Sequence, residues 1–205
     1  GQDKGSTTAE KVVCNFGCTS PEGYRKAGRL MRQAEKFGRP VVTVIDTQGA
    51  FCGVGAEERG QGEAIARSLV DLATLRVPVV AVFVGEGGSG GALAFSVADR
   101  VGMLENAVFS ILSPEGFASI LWKDASRAHE AAEIMGLTAP DAIALGMADD
   151  LIIEPGGGAH KDPVGSMVAV GRYVRSALTS LEKADIDDLI DQRQKRFRRI
   201  GCDTL

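Results

Sequence analysis

The chain lacks the residues on which several common enzyme and metalloprotein classes depend. It has only two histidines, and its four cysteines are scattered at Cys14, Cys18, Cys52 and Cys202. Cys14 and Cys18 are spaced like one half of a metal site, but no second pair or nearby histidine completes it. The sequence therefore predicts no metal site, reduced thiols and a cytoplasmic location.

Long apolar runs and an excess of positive charge are also missing. No run approaches the ~20 residues of a transmembrane helix, and the polar start GQDKGSTTAEKV has no apolar signal-peptide core. The net charge of −4 argues against nucleic acid as the main partner. With 44% hydrophobic and 24% charged residues, the chain is expected to form one globular domain over residues 1–205.

Apolar runs and glycine-rich loops alternate along the sequence in a strand–loop–helix pattern. The runs PVVTVI (40–45) and PVVAVFV (78–84) predict strands that are buried on both faces. A glycine-rich loop follows each strand. Ligands of open α/β sheets bind at the carboxyl ends of strands, so these two loops predict one shared crevice.

Other segments predict the remaining elements. Ser20 and Pro21 predict the start of a helix that Gly38 ends. Further helices are expected at about 56–75, 91–98, from 114 and at 127–135, with strands near 100–104, 107–112 and 149–155. From about residue 163 a helical tail follows, ending in the basic stretch QRQKRFRRI. The basic residues favour a solvated helix face, with contact to a partner subunit as the alternative.

The run GEGGSGGALA (85–94) has five glycines among its first seven residues and matches two unrelated motifs. Gly85, Gly87 and Gly90 fit the dinucleotide fingerprint, and Glu105 lies twenty residues beyond Gly85. However, two strand–helix units precede the run, the crossover that follows it is short, and the second glycine loop is left without a role. An NAD(P)-binding oxidoreductase remains an alternative.

Ser89 lies between glycines in the pattern of a hydrolase nucleophile elbow. A triad would require Asp149 or Asp150 and His160 within reach of Ser89. Nucleophile elbows are usually sparing in glycine, so a serine hydrolase is the weaker alternative. His129 and His160 are expected to be surface residues.

A third interpretation assigns the chemistry to backbone N–H groups and not to a side chain. Glycines allow peptide N–H groups to approach a ligand closely, and a helix N-terminus adds a favourable dipole. Two consecutive N–H groups aimed at one oxygen form an oxyanion hole. Gly90 and Gly91, near the expected helix start, are the candidate donors, whereas Gly87 and Gly88 could equally serve tight packing.

Three long segments in fixed order decide between these interpretations: DTQGAFCGVGAEERGQGEAIAR, GEGGSGGALA and SPEGFASILWKDASRA. Together they closely resemble the carboxyltransferase α subunit of bacterial-type acetyl-CoA carboxylase, in the crotonase superfamily. NFG…PEGYRKAGRLM and EPGGGAHKDP extend the resemblance over essentially the whole chain. Gln48 and Cys52 depart from it, since the family loop usually has prolines there, and the family usually has a further N-terminal region.

The resemblance implies an α/β crotonase-like fold, a repeated β-β-α superhelix with flanking helices, and transfer of a carboxyl group from carboxybiotin to acetyl-CoA for fatty acid synthesis. Gly90 and Gly91 would hold the biotin ureido oxygen through their N–H groups, and a side chain at either is expected to enter the ligand's space. The expected substrate-binding residues are Gly87, Gly88, Ala92, Gly49 and Ala50.

The resemblance also implies partners. Biotin would be carried on a biotin carboxyl carrier protein and not attached to this chain. A zinc-ribbon β subunit would bind acetyl-CoA, and two α and two β subunits would form a heterotetramer that is active only when assembled. No membrane association is expected.

Overall fold

The computed structural model describes residues 2–202 of the chain. Gly1 and residues 203–205, which belong to the expected domain 1–205 and its tail, lie outside the described residues. Within that range the strands are β1 (Val41–Thr47), β2 (Val79–Gly88), β3 (Arg100–Leu104), β4 (Val108–Ser110) and β5 (Asp150–Ile152). They form one parallel sheet in the order β1-β2-β3-β5, and β4 pairs with the last residues of β2.

Helices surround this sheet. They are α1 (Thr8–Val13), α2 (Pro21–Lys36), α3 (Val54–Glu58), α4 (Gln61–Thr74), α5 (Ser89–Leu93), α6 (Pro114–Trp122), α7 (Ala128–Met135), α8 (Ala139–Ala144), α9 (Pro163–Leu181) and α10 (Ile186–Arg199). The Thr43 hydroxyl donates to the Phe95 carbonyl at 2.7 Å, so the segment after α5 covers one face of the sheet. Tyr173 of α9 contacts Gly102 of β3 on the other face.

The central strand β2 is buried on both faces, as its apolar run predicts. Val79 to Phe83 are at most 1% exposed. The same prediction is wrong for β1, where Val42 is 41% and Val44 is 64% exposed. The reason is position: β1 pairs only with β2 and lies at the sheet edge, so α9 covers the central strands and not the outer face of β1.

Two other boundaries differ from the sequence prediction. The helix expected at 56–75 is two helices, α3 and α4, because Gly60 between them has a φ of 80°. The glycine run is strand in its first half. Gly87 and Gly88 pair with Phe109 and Ser110 of β4, and α5 begins at Ser89 and is only five residues long.

The basic tail is only partly the solvated helix face expected: Lys195, Arg198 and Arg199 are exposed, but two other arginines face the domain. Arg193 is 1% exposed and forms an ion pair with Asp99, while Arg196 pairs with Asp149. Both contacts attach α10 to the edge where the parallel strands begin. The tail therefore has one face packed on this domain and one face in solvent.

Candidate active site

The two glycine-rich loops meet at the carboxyl edge of β1 and β2, as predicted. A Cβ placed on Gly88 would overlap the Gln48 carbonyl oxygen and lie 2.9 Å from the Gly49 nitrogen. A Cβ on Gly91 would overlap the backbone of Gly49 and Ala50, with the Gly49 Cα at 2.8 Å. The loops therefore touch backbone to backbone, and only glycine permits this approach at positions 88 and 91.

A charged cluster holds the start of both loops. The Lys4 ammonium donates to Asp46 Oδ1 at 2.9 Å and to Glu86 Oε2 at 3.0 Å. Asp46 Oδ1 also accepts from the Glu86 N–H, and a Cβ on Gly85 would lie 2.5 Å from the same oxygen. Partial burial lowers the pKa of Lys4, but its bonds to Asp46 and Glu86 outweigh this and leave the pKa raised. Lys4 therefore stays charged and links the two strand ends.

The remaining glycine of the strand half has a packing role. A Cβ on Gly87 would lie 2.5 Å from the Phe83 ring and 2.9 Å from the Val108 carbonyl oxygen. Phe83 in turn packs against Phe109, with ring centroids 4.8 Å apart. Gly87 thus allows β2, β4 and this aromatic pair to close together under the loops.

The turn from β2 into α5 presents backbone N–H groups at the same edge. Ser89 has a φ of 50°, a left-handed conformation that aligns the residues after it as the first turn of α5. The N–H groups of Gly90 and Gly91 lie in that turn and have no acceptor within the helix. Gly90 is half-buried, whereas Gly91 and Ala92 are buried. The turn therefore provides two adjacent backbone donors, one on a half-buried and one on a buried residue.

Gly90 and Gly91 differ in the space that the protein leaves for a side chain. A Cβ on Gly90 would make ordinary contacts of 3.6 and 3.7 Å with Ile65 of α4, so the protein itself leaves room for a side chain there. Neither Gly90 nor Gly91 has a positive φ, and the strained residue is Ser89 instead. A side chain is therefore excluded at position 91 by the neighbouring loop, whereas the expectation that a side chain at position 90 meets the ligand stays a prediction.

A small apolar cluster supports the loop that carries Ala50. Tyr24, Ala64 and Ala94 form its buried centre, with Ala50 packed against them. The Tyr24 ring is 1% exposed. Burial raises the pKa of Tyr24 to about 12, so the phenol is neutral at physiological pH and the cluster places no charge beneath the loops.

The structure does not assemble the serine-hydrolase triad. Asp149 and Asp150 are bound to Arg196 and Arg100 at the edge where the strands begin, and Ser89 lies at the opposite edge. His129 is 91% exposed and pairs with Glu133. His160 is also exposed, as expected, and neither histidine hydrogen-bonds to Ser89 within residues 2–202.

The dinucleotide interpretation fails on equally local grounds. Glu105 accepts a hydrogen bond from the Glu154 N–H at 2.9 Å, beside the end of β5. Its carboxylate is therefore used within the chain. The helix after the glycine run is five residues long, shorter than the crossover helix of a dinucleotide-binding unit.

Other features bear on metals, thiols and membranes. The four cysteines are free thiols, and no group of three or more metal-binding side chains occurs among the described residues. In the same part of the chain, no helix has both the length and the apolar character needed to cross a bilayer.

Solved structures with the same fold define the class. The transcarboxylase 12S hexamer core with methylmalonyl-coenzyme A matches with a TM-score of 0.71 at 23% identity, covering 83% of this chain and 33% of that chain. The Pseudomonas malonate decarboxylase MdcD–MdcE heterodimer matches with a TM-score of 0.71 at 19% identity, covering 92% and 78%. The fold is that of the crotonase-like carboxyltransferases, as the sequence resemblance implies.

Sequence relatives define the family within that class. The acetyl co-enzyme A carboxylase carboxyltransferase-like family profile matches residues 1–201. The α subunit of acetyl-coenzyme A carboxylase carboxyl transferase from Clostridium acetobutylicum is 57% identical over 98% of this chain and 73% of its own length. The α subunit from Carboxydothermus hydrogenoformans is 54% identical over 98% and 62%. The chain belongs to this transferase family. Family membership supports neither the NAD(P)-binding oxidoreductase nor the serine hydrolase interpretation.

Family membership predicts that Ser89 is not a nucleophile. We expect Ser89→Ala in the assembled enzyme to retain carboxyltransferase activity within about tenfold, because it removes only a hydroxyl and leaves both backbone donors in place. Ser89→Gly should be equally active and at least as stable, since glycine relieves the left-handed strain of about 1–2 kcal/mol. Steady-state kinetics and thermal unfolding measure these effects. Covalent labelling of Ser89 by a fluorophosphonate probe would contradict the prediction.

Proposed function

We propose that this chain forms the carboxybiotin side of an acetyl-CoA carboxylase carboxyltransferase site, with Gly90 and Gly91 as the oxyanion donors. The observation that carries the proposal is the pair of adjacent N–H groups at the start of α5, fixed against a second loop through Gly91. A ureido oxygen on which negative charge develops is stabilised by adjacent backbone donors, and the start of α5 offers two such N–H groups.

When bound, carboxybiotin supplies the carboxyl group and a ureido oxygen on which negative charge develops as that group leaves. The N–H groups of Gly90 and Gly91 stabilise this charge, and each donor contributes about 2.7–4 kcal/mol in a site that excludes water. The partial positive charge at the start of α5 adds to the effect. No side-chain nucleophile is required, which agrees with a site built from glycine backbone.

The other expected site residues shape this edge. Gly88 and Gly49 are buried in the contact between the two loops, Gly87 is buried against Phe83 and Val108, and Ala92 is buried in α5. Ala50 is half-buried at the loop surface. We propose that Ala50 forms the wall nearest the ligand, and that the buried residues act by fixing its position relative to Gly90.

We further propose that a zinc-ribbon β subunit binding acetyl-CoA covers this edge, in a heterotetramer of two α and two β subunits served by a carboxyl carrier protein. The segment after β4 supports this. Ile111, Ile120, Leu121 and Ile134 are each at least 59% exposed, although they are large apolar side chains. Ile111 directly follows Ser110, which pairs with Gly88, so the apolar surface begins beside the glycine run. Such surfaces mark protein interfaces.

The test is reconstitution with the β subunit of a relative. We expect the mixture to decarboxylate malonyl-CoA in the presence of biocytin, a soluble biotin analogue, and this chain alone to be inactive. Full activity of the isolated chain would contradict the assembly proposal. A reconstituted complex that binds malonyl-CoA but shows no biocytin-dependent turnover would contradict the assignment of the carboxybiotin side to this chain.

A further inference from the structure

One buried side chain ties the Ala50 loop (residues 47–51) to the rest of the molecule at the end farthest from β1. Gln61, the first residue of α4, is 3% exposed. Its Nε2 donates to the Thr19 carbonyl at 2.9 Å and to the Phe51 carbonyl at 2.8 Å. Both amide hydrogens are used, and they join the Ala50 loop to the segment before α2.

The loop has few other restraints at this end. Thr19 and Ala50 form an isolated parallel bridge, and the Phe51 N–H donates to the same Thr19 carbonyl at 3.0 Å. Residues 48–51 belong to no strand or helix. Among the described residues, the Gln61 carboxamide makes the one side-chain hydrogen bond to Phe51, beside the packing of Ala50 on the Tyr24 cluster.

We propose that Gln61 is a positioning residue for the carboxybiotin site, acting through Ala50 on Gly91. The Ala50 loop and Gly91 are in direct backbone contact, so the loop cannot shift without moving the turn that carries the Gly90 and Gly91 donors. The catalytic part of this inference rests on the proposed function. The mechanical part, that Gln61 holds the loop, does not.

The hydrogen bonding of Gln61 argues against a role in stability alone. Its Oε1 is buried and has no partner among the described residues, and a buried acceptor without a partner destabilises the folded state. An apolar side chain of similar size would fill the same space without that penalty. The advantage of glutamine over such an apolar side chain is the pair of N–H donors that bind Thr19 and Phe51.

The experiment compares Gln61→Glu and Gln61→Met with the unmodified chain in the reconstituted complex. Gln61→Glu keeps the shape but replaces the donors with an acceptor facing two carbonyl oxygens. Gln61→Met removes the donors without adding repulsion. The control is Gln33→Glu, the same chemical change at an exposed position of α2. Hydrogen–deuterium exchange of residues 46–53 and kinetics with biocytin are measured for each.

In both Gln61 variants we expect the backbone amides of residues 47–51 to exchange hydrogen at least about tenfold faster than in the unmodified chain, because a buried hydrogen bond is lost. The amides of β2 should stay protected. The KM for biocytin should rise more than kcat falls, with Gln61→Glu the more affected and Gln33→Glu unchanged. Normal exchange at the loop, or faster exchange spread evenly over the chain, would overturn the inference. If the unmodified complex is inactive, the proposed function fails, and the exchange result still decides whether Gln61 holds the loop.

Discussion

Gly91→Ala is expected to lower carboxyltransferase activity by about 100- to 1,000-fold, the cost of losing one oxyanion donor. The added methyl would overlap the backbone of Gly49 and Ala50. Neither neighbour is a flexible side chain that can move aside, so the two loops must separate. Separation would turn the N–H groups at the start of α5 away from the bound oxygen that we propose they share.

Two other glycines of the same run provide matched controls. Gly90→Ala adds the same methyl beside a proposed donor, but the methyl only contacts Ile65 at 3.6 Å, so activity should stay within about tenfold of the unmodified enzyme. Gly88→Ala is not at a proposed donor, yet its methyl would overlap the Gln48 carbonyl. Gly88→Ala should therefore lose carboxyltransferase activity to a similar extent as Gly91→Ala.

The measurement is biocytin-dependent malonyl-CoA decarboxylation by each assembled complex, with thermal unfolding to show that the variants are folded. A loss in Gly90→Ala as large as in the other two variants would mean that a ligand, and not loop packing, excludes a side chain at position 90. Gly91→Ala with activity close to that of the unmodified enzyme would mean that the contact between the loops does not position the donors.

The sequence predicts the shared position of the two loops because the apolar strand runs are long and each leads directly into glycine. It does not predict which glycine excludes a side chain. That depends on the direction of each Cα–Hα bond relative to a loop some forty residues earlier in the chain, as the contrast between Gly90 and Gly91 shows. Family resemblance identifies the run but carries no such geometry.

Lys4 and Gln61 show a second limit of sequence reasoning. Both hold the loops through partners far along the chain, with Lys4 bound to Asp46 and Glu86. A lone lysine in a polar segment has no periodicity to mark it. Gln61 follows the left-handed Gly60 and occupies a buried position of α4, and only the arginine-glycine-glutamine break in the helix pattern could have indicated it.

The exposed face of β1 shows that an apolar strand sequence does not by itself predict burial. A continuous apolar run indicates that both faces of a strand meet apolar surroundings, but not whether one chain provides them. Val42 and Val44 lie along a groove of about 720 Å³ between β1 and α2. Their composition is that of a buried strand, and their exposure follows from the edge position of β1 in the sheet.

Arg193→Met is expected to destabilise the domain by about 3–5 kcal/mol, the usual cost of removing one partner from a buried ion pair. The Arg193 side chain is 0% exposed and that of Asp99 is 3% exposed. Arg193 Nε and Nη2 each lie 2.7 Å from an Asp99 oxygen. Without the guanidinium, the Asp99 carboxylate stays buried, and among the described residues only the Val79 N–H still donates to it.

The same guanidinium also binds carbonyl groups at the C-terminal end of α4. Arg193 Nη1 donates to the Leu72 and Leu75 carbonyls at 2.7 and 2.8 Å, and Nη2 donates to Val77 at 2.9 Å. Its five N–H groups are thus all satisfied, and they connect α10 to α4 and to the start of β2. A lysine has three donors on one nitrogen and cannot reproduce this planar arrangement, so Arg193→Lys should also be destabilised.

The spacing of residues along α10 indicates that Arg193 is buried. Leu189, Arg193 and Phe197 are spaced four residues apart along α10 and share its inward face, and Leu189 is 2% exposed. An arginine in the middle of an apolar stripe requires a buried acidic partner, but the sequence does not show that the partner is Asp99, 94 residues earlier. This explains why the tail resembles a solvated basic helix when read in isolation.

Thermal unfolding of the isolated chain tests the prediction. At about 2–4 °C per kcal/mol for a domain of this size, Arg193→Met should lower the Tm by about 6–20 °C. Arg198→Ala, an exposed arginine on the same helix, should leave the Tm unchanged. Adding Asp99→Asn to Arg193→Met should recover part of the loss, because the amide carries no charge that needs a partner. Equal, small shifts in Arg193→Met and Arg198→Ala would show that α10 is attached by its apolar side chains alone.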